Sequence, residues 1–215
     1  MKDLIIFGAS GFGREVAWLI ERINQKMPTW NLLGFIDDDD TIQGKEINGY
    51  KVLGKVQDIV RFPESFFVCA VGAAKTREII VQRMRELNPG IRFATVVDPS
   101  AEISGLVKLG EGSVVCAHTI ITVNIEIGNH VIINLDCTIG HDAKIHDFVT
   151  LYPSVNVSGI TDIGHAAELG TGTQIIQGKA VGEYSIIGAG AVVVKDIPAK
   201  CTAVGSPARP IKFFD

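Results

Sequence analysis

The sequence predicts an α/β domain followed by an all-β domain that folds as a parallel β-helix. In the first part of the 215-residue chain, short apolar runs that end at glycines alternate with amphipathic helical segments. From Thr95 onward the period changes to six residues, and the same position of every block is aliphatic as far as Val193. We therefore expect one domain over residues 1–94 and a second over residues 95–215.

The first domain consists of alternating predicted strands and helices. Residues 4–7 form a predicted buried strand, residues 8–13 a tight glycine turn, and residues 14–23 a helix with apolar residues at helical spacing. Further strands are predicted over residues 32–36, before four consecutive aspartates, and over residues 66–71, before a second amphipathic helix. This β-α-β order predicts a small parallel sheet flanked by helices.

The second domain repeats every six residues without an insertion. Six-residue repeats indicate a parallel β-helix, in which three blocks make one coil and one aliphatic side chain per block fills the interior. Residues 18 apart then stack in neighbouring strands about 4.8 Å apart, which places His141 beneath Gly159 and Thr171 beneath Ala189. Counted in blocks from Thr95, the third residues are Val97, Ile103, Leu109, Val115, Ile121, Ile127, Ile133, Ile139, Ile145, Leu151, Val157, Ile163, Leu169, Ile175, Val181, Ile187 and Val193.

Composition and charge exclude several classes of protein. With 47% hydrophobic and 20% charged residues, the chain can bury a sizeable core and is not disordered. A net charge of −4 argues against a nucleic-acid partner. No apolar run approaches the roughly 18 residues of a membrane span, and the N-terminus lacks the apolar segment of a secretory signal. The four cysteines have no paired spacing. We expect a cytoplasmic protein without membrane insertion.

Four stretches of the chain resemble one bacterial family: GASGFGREV, GFIDDD, IGHDAKIHDF and AVGSPARPIK. They are similar to stretches of the nucleotide-linked amino-sugar N-acetyltransferases of the bacillosamine and perosamine type, which are grouped with sialic-acid O-acetyltransferases. The resemblance covers essentially the whole chain. It implies an α/β Rossmann-like domain, a left-handed parallel β-helix, and a homotrimer with acetyl-CoA as co-substrate in the groove between subunits. The implied reaction transfers acetyl to the amine of a nucleotide-linked amino-deoxy sugar for surface-glycan biosynthesis, without a metal.

The resemblance also implies roles for individual residues. His141 matches the general base, Asp142 the acidic residue that orients it, and Gly159 the residue whose backbone N–H meets the thioester carbonyl. The implied coenzyme contacts are Thr150, Gly159, Thr171 and Ala189, to which we add Arg209 because a cation near the open end of the groove would hold phosphates. The implied nucleotide-sugar pocket consists of Ser10, Gly11, Asp37, Asp38 and Gly72. The chain departs from the family at Phe12, where the glycine turn usually carries histidine.

The chemistry of the residues agrees with these roles. The attacking amine must lose a proton, and histidine suits proton transfer because its ordinary pKa lies near neutrality. An adjacent carboxylate can fix the tautomer of His141, and the N–H of Gly159 can stabilise charge on the thioester oxygen. The turn of residues 8–13 could bind a phosphate at a helix N-terminus, and Asp37 lies where such domains contact a ribose or a base.

Four other interpretations remain open from the residues alone. A glycine turn also serves nicotinamide dinucleotides, although a domain of about 94 residues lacks a second mononucleotide half. An O-acetyltransferase that acts on sialic acid or a related sugar is a second alternative, because the sequence does not show whether the acceptor atom is nitrogen or oxygen. His146 follows His141 by five residues, a spacing that resembles hexapeptide-repeat carbonic anhydrases, which bind zinc between subunits; no other histidine lies a multiple of 18 residues from His141. The fourth interpretation is a sensor that binds a sugar nucleotide and catalyses no reaction.

Overall fold

The computed structural model describes residues 1–214, and its first part is a parallel α/β sheet. Four strands pair in the order β2-β1-β5-β6, all parallel, and β3 and β4 form a small antiparallel hairpin. Two 3₁₀ helices cover Asp40–Ile42 and Val56–Arg61. The elements are β1 (Lys2–Phe7), α1 (Gly11–Lys26), β2 (Trp30–Ile36), β3 (Glu46–Ile47), β4 (Tyr50–Lys51), β5 (Phe66–Cys69), α2 (Ala74–Leu87) and β6 (Arg92–Phe93).

The glycine turn between β1 and α1 forms because it has no room for side chains. Gly8 has a φ of +100°, a left-handed conformation that favours glycine, and a Cβ on Gly13 would overlap the carbonyl of Gly8. The chain can therefore enter α1 directly from the carboxyl end of β1. The predicted strand, turn and helix over residues 4–23 are confirmed.

The second part is a left-handed parallel β-helix with three faces. The first face contains β7, β10, β13, β16, β19, β22, β24 and β25, the second β8, β11, β14, β17, β20 and β23, and the third β9, β12, β15, β18 and β21. These strands are β7 (Val96–Val97), β8 (Glu102–Ile103), β9 (Lys108–Leu109), β10 (Val114–Val115), β11 (Ile120–Ile121), β12 (Glu126–Ile127), β13 (Ile132–Ile133), β14 (Thr138–Ile139), β15 (Lys144–Ile145), β16 (Thr150–Leu151), β17 (Asn156–Val157), β18 (Asp162–Ile163), β19 (Glu168–Leu169), β20 (Gln174–Ile175), β21 (Ala180–Val181), β22 (Ile186–Ile187), β23 (Val192–Val193), β24 (Cys201–Val204) and β25 (Arg209–Phe213).

The predicted 18-residue register is confirmed from β7 to β23. Val115 pairs with Ile133, one coil further along the chain, and the other strands of this region pair with the same offset. The register ends at the last coil, where Ile187 pairs with Ala203, only 16 residues away. There β24 turns back into the antiparallel β25 and closes the end of the sheet.

The interior of the β-helix is filled as the repeat predicts. From Val115 to Val193 the third residue of every block is buried. Val97, Ile103 and Leu109 are only partly buried, because the first coil has no coil beneath it. The expectation of one enclosed aliphatic side chain per face is therefore correct for all coils except the first.

The α/β part packs on the first face of the β-helix. Val16 and Ile20 of α1 share one apolar cluster with Val114 and Ile132 of that face. The last strand of the parallel sheet ends at residue 93, and the first strand of the β-helix begins at residue 96. This short connection supports our proposal that the domain boundary lies between residues 94 and 95. No helix within residues 1–214 is long and apolar enough to cross a membrane.

A buried arginine holds the two parts together. Arg77 of α2 is 1% exposed, and its guanidinium donates five hydrogen bonds, all to backbone carbonyls. Two of the acceptors follow β5 and three lie at the corner between the third and first faces: Val71, Gly72, His130, Phe148 and Val149. The carbonyls of His130 and Phe148 receive no bond from the neighbouring coils, so Arg77 supplies donors that the β-helix lacks.

Candidate active site

His141 and Asp142 form a hydrogen-bonded pair at the corner between the second and third faces. The distance from Nδ1 of His141 to Oδ2 of Asp142 is 2.7 Å, and both side chains are 50% exposed. The hydrogen bond from His141, followed by one from Asn124, lowers the pKa of Asp142 below its ordinary value. With the carboxylate ionised, Nδ1 carries the proton and Nε2 keeps its lone pair. An accessible lone pair on an oriented imidazole can accept a proton from a ligand.

Gly159 lies directly above this imidazole, as the register predicts. A Cβ on Gly159 would be 2.6 Å from Nε2 of His141, so glycine leaves the imidazole in this position, whereas a larger residue would displace it. The N–H of Gly159 donates to no acceptor within residues 1–214, whereas the next residue, Ile160, donates to the carbonyl of His141 at 2.8 Å. The corner therefore combines an exposed imidazole with an adjacent unpaired N–H.

Three of the predicted coenzyme contacts lie away from this corner. Thr171 and Ala189 are exposed at the corner between the first and second faces, stacked one coil apart, with the amide of Gly190 donating to the carbonyl of Thr171 at 2.8 Å. Arg209 is exposed in β25, and its guanidinium bonds only the carbonyl of Ala208 within the described chain. Within one protomer these residues do not meet His141.

Thr150, a fourth predicted coenzyme contact, lies beneath the α/β part. Its side chain is buried on the first face, with 1% of the residue exposed, and its hydroxyl donates to the carbonyl of Gly72 at 2.7 Å. The α/β part covers this position, so Thr150 binds the end of the segment after β5 instead of facing solvent.

The predicted nucleotide-sugar residues gather where the strands of the parallel sheet end. Asp37, after β2, accepts from the amide of Ala9 at 2.8 Å and from the amide of Asp39 at 2.9 Å, so it ties the glycine turn to the aspartate loop. Ser10 and Gly11 are exposed at the start of α1, and the Ser10 hydroxyl makes no capping bond. This edge offers free backbone amides and a hydroxyl to a phosphate.

Asp38 and Gly72 also have structural partners. One oxygen of Asp38 accepts from the amide of Val56 at 2.9 Å, and the other is 3.8 Å from Arg83. The carbonyl of Gly72 accepts from Thr150 and Arg77, and a Cβ on Gly72 would be 3.7 Å from the hydroxyl of Tyr152. Gly72 therefore lies where the α/β part meets the first face.

The predicted catalytic corner with His141 and the predicted nucleotide-sugar pocket lie on opposite sides of the β-helix. The α/β part with Gly72 covers the first face, whereas His141 lies at the corner where the second and third faces meet. In a triangular prism that corner is opposite the first face. The body of one β-helix therefore separates His141 from the predicted sugar pocket of its own chain.

The structure adds polar residues that the sequence analysis did not single out. Glu168 of the first face accepts from the amide of Ala74, the first residue of α2, at 2.9 Å and from the hydroxyl of Tyr152 at 3.0 Å. Burial, and then the charge of Glu168, raise the pKa of Tyr152 to about 12. Arg77 could have been suspected, because it shares one helical stripe with Ala74, Val81 and Met84, all of which are buried.

His146 does not join His141. Its Nε2 is 2.9 Å from a carboxylate oxygen of Asp162 on the third face. Within the part of the chain that the structure describes, no three histidine, cysteine or acidic side chains come together as a group that could hold a metal ion.

Comparison with known proteins identifies several that share this architecture. Residues 3–84 match the family model of the PglD N-terminal domain. The acetyltransferase domain of PglB from Neisseria gonorrhoeae is 31% identical, with a TM-score of 0.88 over 98% of this chain and 100% of that one. A variant of perosamine N-acetyltransferase from Caulobacter crescentus, solved with CoA and GDP-perosamine, is 27% identical, with a TM-score of 0.90 over 99% of this chain and 98% of that one.

Matches to curated proteins are shorter. A dTDP-3-amino-3,6-dideoxy-alpha-D-galactopyranose 3-N-acetyltransferase from Aneurinibacillus thermoaerophilus is 43% identical over 51 residues, which is 24% of this chain and 27% of that protein. The chain spans less than half the length of the curated relatives it matches.

The fold and the exposed histidine–aspartate pair define a left-handed β-helix acyltransferase with an N-terminal α/β part. Within that class, the full-length match at 31% identity shows the family. The chain belongs to the nucleotide-linked amino-sugar N-acetyltransferases of the bacillosamine and perosamine type, the family that its sequence resembles.

Proposed function

We propose that this protein transfers the acetyl group of acetyl-CoA to the amine of a nucleotide-linked amino-deoxy sugar, as a cytoplasmic step of surface-glycan biosynthesis. The observation that carries the proposal is the corner of the β-helix. There His141 is exposed and oriented by Asp142 at 2.7 Å, directly below a glycine with an unpaired N–H. The full-length similarity to the PglB acetyltransferase domain and to the perosamine enzyme supports the choice of donor and acceptor.

In the proposed mechanism, the amine nitrogen attacks the carbonyl carbon of the thioester. The new C–N bond forms as the C–S bond breaks, and the coenzyme leaves as its thiolate. Nε2 of His141 accepts the proton that the amine loses, and the thiolate regains a proton to give the free thiol. Asp142 stabilises the imidazolium, and the N–H of Gly159 stabilises negative charge on the thioester oxygen.

The opposite placement of the two groups of residues supports a shared active site. If His141 of one protomer receives a sugar nucleotide held by Ser10, Gly11, Asp37 and Gly72 of its neighbour, each site needs two subunits. We propose the homotrimer implied by the family as the assembly that forms these sites. A further role follows for the corner with Thr171 and Ala189, which a neighbouring protomer would bring toward the coenzyme, with Arg209 near its phosphates.

The test is an acceptor panel with acetyl-CoA as donor. Nucleotide-linked amino sugars with different bases, together with free sialic acid, are assayed for release of thiol, and products are examined by mass spectrometry. We expect turnover with an amino sugar and an amide product that resists mild alkali. Preferred acetylation of sialic acid, with an ester product cleaved by alkali, would refute the proposed acceptor.

A variant connects the activity to the corner. His141→Asn should lower turnover by roughly 10²–10⁴-fold, the usual contribution of a positioned acid–base group, while both substrates still bind. Sedimentation of the same variant should match the wild type, because an exposed corner residue does not support the core. Near-normal turnover of the folded variant would rule out His141 as the base.

A further inference from the structure

The carboxylate of Asp142 has a second partner besides His141. Oδ2 of Asp142 is 2.7 Å from the imidazole, and Oδ1 accepts from the side-chain amide of Asn124 at 3.3 Å. Asn124 lies 18 residues earlier, at the same corner one coil below. Each carboxylate oxygen of Asp142 therefore has its own partner: His141 in the same coil and Asn124 in the coil below.

The backbone fixes Asn124 in this place. Asn124 has a φ of 57° and Asp142 a φ of 59°, the left-handed conformation that asparagine and aspartate tolerate better than most residues. The amide of Asp142 donates to the carbonyl of Val123 at 3.1 Å, and the amide of Ile160 donates to the carbonyl of His141 at 2.8 Å. These bonds link three successive coils, so Asn124 is held under Asp142 and His141 is held under Gly159.

The carboxylate needs such a partner because it is exposed. Half of the Asp142 side chain is open to solvent, and within residues 1–214 its oxygens bond only His141 and Asn124. Without the amide, the carboxylate could rotate toward water and release Nδ1 of His141. The proton of the neutral ring could then move to Nε2, the atom that must accept a proton from the substrate.

We propose that Asn124 is a positioning residue, which orients the Asp142 carboxylate and thereby keeps the proton of neutral His141 on Nδ1. The proposal deepens the proposed function, because it rests on His141 acting as the base. Asn124 touches neither the reacting atoms nor the imidazole. Its effect reaches the reaction only through the direction of one carboxylate.

The first test observes the tautomer without any substrate. The ¹⁵N chemical shifts of the His141 ring are measured at about pH 9, where histidine is neutral, and are assigned by their loss in His141→Asn. Asn124→Gly removes the amide and keeps the left-handed backbone. Asn124→Asp keeps the size and backbone but faces Asp142 with a second carboxylate. We expect the Nδ1–H form to dominate in the wild type, to decrease in Asn124→Gly, and to decrease further in Asn124→Asp.

Another corner of the chain provides a matched control. Ser154 has a φ of 59° and its hydroxyl donates to Asp136, 18 residues earlier, at 3.2 Å, with no histidine in the pair. Ser154→Gly removes a bond of the same kind between two coils and should leave the His141 tautomer unchanged. An unaltered tautomer in both Asn124 variants, or an equal change in Ser154→Gly, would overturn the proposal.

Kinetics then separates this proposal from the proposed function. Asn124→Gly should lower kcat by about 3- to 10-fold, the worth of one modest hydrogen bond, with the KM of both substrates unchanged. If the tautomer changes but kcat does not, Asn124 positions the pair and His141 is not the base. If kcat falls while the tautomer is unchanged, Asn124 acts by another route and the positioning role is wrong.

Discussion

Removal of the Arg77 guanidinium should loosen α2 and the segment after β5 from the β-helix. Arg77→Met keeps the length and helix propensity of the side chain but removes all five of its hydrogen bonds. The carbonyls of Val71, His130 and Phe148 would then have no donor from the chain, while Gly72 would keep the hydroxyl of Thr150. These carbonyls lie between two packed parts, so water cannot easily replace the guanidinium.

The expected loss of stability in Arg77→Met is the difference between two opposing effects. Each of the three enclosed carbonyls without a donor costs about 1–3 kcal/mol. Burial lowers the pKa of Arg77 well below its ordinary value, to about 10, which corresponds to about 3 kcal/mol for holding the charge there, and the substitution relieves this cost. Because the three carbonyls together cost more than this relief, we expect a net loss of about 3 kcal/mol in the free energy of unfolding, taken from the middle of the range for each carbonyl.

Urea denaturation with hydrogen exchange provides the assay. The loss should be concentrated in α2 and in the segment after β5, with protection of the β-helix interior retained. Arg83→Met, on the same helix, is the control. The Arg83 side chain is 55% exposed and its guanidinium is 3.8 Å from Asp38, so the substitution should cost less than about 1 kcal/mol. Equal effects of the two substitutions would refute the role of Arg77 as the link between the parts.

Three further perturbations follow from the same structure. Ile139→Ala should cost about 2–5 kcal/mol in urea denaturation, because it leaves a void in a closed prism, and a loss under about 1 kcal/mol would contradict the interior assignment. Gly159→Ala should lower kcat with little loss of stability, because the new methyl group displaces the His141 ring; unchanged kcat would place the ring elsewhere. Burial lowers the pKa of His130 to about 4, so the unfolded state binds more protons between about pH 6.5 and pH 4, and stability falls as the pH decreases through that window. From pH 7 to pH 5 the loss should be about 2 kcal/mol, and it should be absent in His130→Asn, which keeps the left-handed backbone; an equal loss in this variant would assign the pH effect to other groups.

The register of the β-helix and the corner with His141 were predictable from the sequence alone. The repeat is local: each block must place one aliphatic side chain in a narrow interior, so the period alone decides which residues are buried and which stack 18 apart. His141 beneath Gly159 followed from counting, and the close approach of Gly159 to the imidazole confirms that stacking. The strand, glycine turn and first helix were equally readable, because apolar spacing and glycines without room for side chains are local features.

What only the tertiary structure decided is how the two parts meet. The six-residue period is the same on all three faces, so it carries no information on which face the α/β part covers, and it did not indicate that Thr150 would be buried there. Corner residues with a left-handed backbone conformation, such as His130 and Phe148, have carbonyls that accept no bond from a neighbouring coil. Arg77, which is distant in the sequence, donates hydrogen bonds to both carbonyls. The sequence determined each coil and its polar corner. Contacts between residues far apart in the chain, namely the apolar cluster of α1 with the first face and the hydrogen bonds of Arg77, hold the α/β part on that face and separate His141 from the predicted sugar pocket of its own chain.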